Sequence, residues 1–126
     1  MLNIGTDIIE IDRMANTSEG FRRRVFTECE LAYAKSRGRQ ETASLAGMFS
    51  AKEAVVKALG TGMRYGAWRE MEITRDESGA PAVRCTGAFA RVMKEKHISC
   101  LKISISHCRL YATACAVALF GEGEEG

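Results

Sequence analysis

The chain has 126 residues, 46% of them hydrophobic and 27% charged, which predicts one globular domain with its own core and excludes a wholly disordered chain. Its 18 basic and 16 acidic residues leave a net charge of +2, too near balance to argue for nucleic acid. The 5 cysteines are odd in number and form no CxxC pair, so neither a disulfide framework nor a zinc site is signalled.

The opening Met1-Leu2-Asn3-Ile4 lacks a basic stretch followed by an apolar run, and no segment reaches the length of a membrane span. A cytoplasmic protein is the expectation. Residues 1–120 read as a single domain and 121–126 as a flexible acidic tail.

Ile4 to Ile11 reads as a strand. Alternation puts Gly5, Asp7, Ile9 and Ile11 on one face, so Asp7 shares that face with two isoleucines. A carboxylate aimed at a core must be paired, hydrogen-bonded or bound to a cation. A structural salt bridge is the plain alternative to a functional role.

Arg22-Arg23-Arg24 form a basic run. Such a run is ordinarily a solvated surface, yet beside a site it attracts acidic partners or phosphate. Thr27 with Glu30 fits a capping box opening a helix to about Ser36. Residues 37–42 read as a loop.

Ala43 to Leu59 gives the strongest helical pattern, with Thr42 or Ser44 as its cap. Leu45, Phe49, Val56 and Leu59 make the apolar stripe, and Gly60 or Gly62 ends the helix. Glu53 and Lys57 form an i, i+4 pair at the stripe's border, which alone is an ordinary surface pair. Lys52 falls within the stripe and needs a partner or a route to water.

Strands follow over 71–75 and 82–85, joined by a turn at 76–81. A short helix spans 88–96, with Phe89, Val92 and Met93 inward. Strands over 101–105 and 110–120 come last, and the second, apolar and small, belongs at the sheet's centre. The fold class is α+β: one long and several short helices on a mostly antiparallel sheet.

The chain lacks a Walker loop, GxSxG and HExxH, and its 2 histidines exclude a histidine-rich metal centre. His107 and Cys108 are chain neighbours whose side chains diverge in a strand, a poor nucleophile pair. Asp7 and Glu53 remain as oxygen donors for a hard cation such as magnesium, which is held by one or two carboxylates plus water and phosphate. Lys57 would add a positive charge there, and Gly60 and Gly62 permit close approach of a phosphate. Spacing alone does not bring Asp7 to Glu53.

Four segments carry a family resemblance. Residues Ile4 to Arg13 resemble the "G-x-D-x-x-E-x-x-R" opening of holo-acyl-carrier-protein synthases. Phe49 to Gly62 is similar to their "F-(A/S)-x-K-E-A-x-x-K-A-(L/F)-G-T-G". Ser104-Ile105-Ser106-His107 with Tyr111-Ala112 resembles their late strand motif, and Phe26 to Glu30 their "(L/F)-T-x-x-E".

The resemblance implies the 4′-phosphopantetheinyl transferase fold and transfer of 4′-phosphopantetheine from coenzyme A to a serine of acyl carrier protein. Asp7 and Glu53 match magnesium ligands, and Lys57 matches a lysine near the coenzyme A phosphates. Gly60, Thr61, Gly62, Ser106 and His107 match positions near the nucleotide, and Arg13 one that meets the acidic carrier. A homotrimer with sites between subunits is implied too, without nucleic acid or membrane.

Met48 and Lys102 depart from the family's arginine and histidine, which puts part of the nucleotide grip in question. Two other readings compete. A small magnesium-dependent nucleotide pyrophosphatase would use the same carboxylates and lysine, and a non-enzymatic module would have kept only the fold.

Overall fold

The computed structural model describes residues 1–63 and 66–121; most of the expected acidic tail lies outside these described residues. Among the described residues, five strands and five helices follow in the order β1 (Leu2–Glu10), α1 (Ile11–Ala15), α2 (Glu19–Val25), α3 (Glu28–Ser36), α4 (Glu41–Leu59), β2 (Met71–Arg75), β3 (Pro81–Cys85), α5 (Gly87–Glu95), β4 (Ile98–His107) and β5 (Tyr111–Phe120). Short 3-10 turns lie at Gly38–Gln40 and Trp68–Glu70.

The main sheet has the order β1-β5-β4, so the last strand is central, as its small apolar residues predict. Both of its pairings are antiparallel, with Asp7 opposite Ala114 and Ile105 opposite the same alanine. β2 and β3 form a separate antiparallel hairpin, with Met71 opposite Cys85. Pro81 opens β3, where a missing N–H costs least.

α4 packs on the inner face of the main sheet. Ala112, Ala114, Ala116 and Ala118 of β5 all point inward and are buried, a floor low enough for a helix to lie close. Two glycines mark the crossing. A Cβ on Gly47 would come within 2.8 Å of Ile105 Cγ2 on β4, and one on Gly5 of β1 within 2.1 Å of the Ala54 carbonyl. The helix thus runs obliquely from the β4 edge to the β1 edge. Leu45, Val55, Val56 and Leu59 fill the core around it.

The sequence pattern misses several details. Ile11 begins α1 instead of extending β1, and α2 gathers the arginine run into a helix capped by Ser18, whose side chain accepts from Phe21 N. The loop expected over 37–42 is partly helical, and α4 starts at Glu41 with no side-chain cap. β4 is longer than expected because its apolar–polar alternation continues to His107. The capping box at Thr27 forms as read, and Gly60 takes the left-handed conformation (φ 77°) that ends α4.

Lys52 finds a partner. It is fully buried, and its ammonium donates to Glu30 Oε1 (2.7 Å), Val25 O (2.7 Å) and Trp68 O (3.2 Å). Those three acceptors match its three donors. Glu30 also accepts from Thr27 N and Ile73 N. One buried pair therefore ties α3, α4 and β2 together.

Candidate active site

Strand alternation turns Asp7 inward, half-buried, toward α4. Three residues of α4 meet it or its neighbours. Ser50 Oγ donates to Asp7 Oδ2 at 3.2 Å. Lys57 Nζ donates to Asp7 Oδ1 at 3.3 Å and to the Thr6 carbonyl at 2.9 Å. Glu53 lies between these two, and Ser50, Glu53 and Lys57 fall within roughly 60° of arc on the helix. The Asp7 backbone is fixed from the other side, where Thr113 Oγ1 donates to its carbonyl at 2.7 Å.

The electrostatics agree with this proximity. Partial burial raises the pKa of Glu53, the negative charge of Asp7 raises it further, and Lys57 offsets part of the shift. A carboxylate whose ionisation a second carboxylate makes costlier, next to one ammonium, gives a donor set for a hard cation. Oxygen ligands without thiol or imidazole fit magnesium or calcium, not zinc.

The Gly60-Thr61-Gly62 segment follows directly from the end of α4. Gly60 N donates to the Val56 and Lys57 carbonyls, and Lys96 Nζ donates to the Leu59 carbonyl at 2.7 Å, adding positive charge at this end of the helix. Gly62 also has positive φ (65°), and Thr61 is buried with its hydroxyl on the Gly62 carbonyl.

Ser106 and His107 lie elsewhere, at the end of β4. His107 lines a cavity of about 380 Å³ with Tyr33, Arg37, Ser44, Gly47 and Arg75. Arg37 and Arg75 both place their guanidinium groups over the Tyr33 ring, at 5.8 and 4.9 Å. The buried Nε of Arg75 has no hydrogen-bond partner among the described residues. This cavity is basic and sits at the β4 edge, whereas Asp7 sits on β1 at the opposite edge.

Arg13 is exposed in the last turn of α1 and lines a shallow hollow with Ile8, Glu10 and Tyr111. Met48 is buried in the core, so it faces neither cavity. Lys102 is exposed on the outer face of the sheet. Cys108 lies in the turn after β4, exposed, with its thiol pKa lowered by hydrogen bonds from the backbone at Leu110 and Tyr111.

The fold, not the spacing, brings Asp7 to Lys57 and close enough to Glu53 to act on its charge. Sequence reasoning misses Ser50, although Ser50 lies one turn before Glu53 on the same face. It also misses Tyr33, Arg37 and Arg75, which no local pattern connects to His107.

The sequence profile of the 4′-phosphopantetheinyl transferase superfamily matches residues 3–116. The holo-[acyl-carrier-protein] synthase of Thermoanaerobacter sp. (strain X514) is 42% identical over 96% of this chain and 89% of its own length. The crystal structure of that enzyme type from Neisseria meningitidis superposes with a TM-score of 0.83 at 32% identity, covering 92% of this chain and 96% of the other. The one from Bacillus anthracis, in complex with CoA (3′,5′-ADP), gives 0.78 at 34% identity over 94% and 96%. With an acid pair and lysine assembled on a matching fold, and a profile match across nearly the whole chain, this protein belongs to the 4′-phosphopantetheinyl transferase superfamily.

Proposed function

We propose that this chain transfers the 4′-phosphopantetheine arm of coenzyme A to a serine of an acyl carrier protein, releasing adenosine 3′,5′-bisphosphate. The observation that carries the chemistry is the meeting of Asp7 with the Ser50–Glu53–Lys57 face of α4. The serine oxygen attacks the β-phosphorus of the diphosphate, and the bond from that phosphorus to the bridging oxygen breaks. The leaving bisphosphate carries away the electron pair.

Transfer of this kind depends on positioning and on neutralising charge. Lys57 is half-exposed at the mouth of the site and can swing from Asp7 to a phosphate oxygen. Asp7 and Glu53 would hold a magnesium ion, which supplies further neutralisation of the diphosphate when bound. The serine proton leaves to water in preference to either carboxylate, because a ligating carboxylate is a poor base.

Gly60, Thr61 and Gly62 would bring backbone close to the phosphates. His107, with Arg37 and Arg75, would receive a further anionic part of the nucleotide at the basic cavity, whereas Ser106, the residue before it on β4, does not line that cavity. The cavity and the acid pair lie at opposite edges of one sheet, which favours sites completed by a neighbouring copy in a homotrimer. An uncovered apolar sheet face supports the same reading, with Ile4 62% and Ile8 66% exposed. Arg13 and the arginines of α2 offer a basic surface to the acidic carrier. Residues 1–120 act as one domain in this reading, in the cytoplasm, and among the described residues no helix is long and apolar enough to cross a membrane.

The test is incubation with coenzyme A, magnesium and apo acyl carrier protein. The carrier should gain the mass of phosphopantetheine as the bisphosphate appears, and Glu53→Gln should abolish both. Bisphosphate without a heavier carrier would favour a pyrophosphatase.

A further inference from the structure

Ser50 is fully buried in the middle of α4. A serine inside a helix is less favourable than alanine, and a buried hydroxyl must be satisfied. Here its hydroxyl O–H donates to Asp7 Oδ2 at 3.2 Å across the α4–β1 junction. The other carboxylate oxygen, Oδ1, faces Lys57 at 3.3 Å. Lys57 is half-exposed and free to follow a ligand, whereas Ser50 is enclosed and cannot leave. Of the two contacts on the carboxylate, only the one from Ser50 is fixed.

We propose that Ser50 is a positioning residue for cation binding, holding the Asp7 carboxylate in the orientation that meets the Glu53 face of α4. The inference rests on the metal-site reading above. A hydrogen bond that pre-orients a ligating carboxylate acts through metal affinity, and removing such outer contacts typically weakens binding by about 10- to 100-fold. A hydroxyl serving only to fill the α4–β1 contact would leave that affinity unchanged.

The experiment is direct titration of the full chain with Mn2+, followed by electron paramagnetic resonance without coenzyme A or carrier. Ser50→Ala should raise the Mn2+ dissociation constant roughly tenfold. Ser50→Cys, which keeps a similar volume but is a weak donor, should do the same. Circular dichroism melts in EDTA establish that both variants are folded. Folded variants that bind Mn2+ as the unmodified chain does would overturn the assignment. Failure of the unmodified chain to bind Mn2+ would overturn the metal-site reading itself, and the Ser50 proposal with it.

Discussion

Lys52 and Glu30 form a fully buried ion pair at 2.7 Å, one residue along α4 from Glu53. Burial pushes the Lys52 pKa down, and the Glu30 carboxylate resists that shift. Breaking such a pair from one side leaves an uncompensated buried charge, which costs about 3–5 kcal/mol. Lys52→Met should therefore lower the unfolding free energy by that order, measured by urea titration. A loss within about 0.5 kcal/mol, the usual range for a surface substitution, would mean that the pair contributes little.

Glu53 carries a raised pKa, caused first by partial burial and then by Asp7. Its folded pKa lies above its unfolded value, so its contribution to stability is present at low pH and is lost as pH rises through the folded pKa. Cation binding runs the other way, because the ligand must be ionised. Magnesium affinity should fall as pH drops from neutral through that raised value. Asp7→Asn should bring the Glu53 pKa down, read by carbon NMR of its carboxyl group. An unchanged titration in that variant would show that the two acids do not interact.

Gly5 admits no side chain. A Cβ there would stand 2.1 Å from the Ala54 carbonyl and 2.8 Å from Ala58 N, both backbone atoms that cannot step aside. Gly5→Ala should destabilise the fold by about 3 kcal/mol or more and should also reduce activity by prising β1 from α4. Near-native melting and turnover would contradict the close crossing.

The basic cavity at the β4 edge makes a separate prediction. Arg75→Ala removes a guanidinium whose buried Nε lacks a partner. Hydrogen bonds to charged groups are worth about 1.5–3 kcal/mol. The KM for coenzyme A should then rise roughly tenfold or more in initial-rate assays. A KM equal to that of the unmodified enzyme would exclude Arg75 from the nucleotide site.

Much of this was legible in the residues, and the reasons are physical. Alternation along β1 put Asp7 inward, and helical periodicity put Glu53 beside Lys57. The capping box at Thr27 is local chemistry and reads directly. Lys52 showed as an anomaly in the stripe, but its partner lies 22 residues away on α3, beyond any local pattern. The two short N-terminal helices were missed because their few turns carry little periodicity. The Arg37–Tyr33–Arg75 stack depends on how the β2–β3 hairpin sits against α3, which only tertiary packing decides.

The diagonal seat of α4 means that each chain offers acid at one rim and base at the other. In the proposed homotrimer, every working centre would borrow half its parts. Two crippled versions, one carrying Glu53→Gln and one His107→Ala, should revive each other when unfolded together and reassembled, since some junctions will join a sound acid rim to a sound basic one. A blend as silent as its parents would mean that each chain works alone.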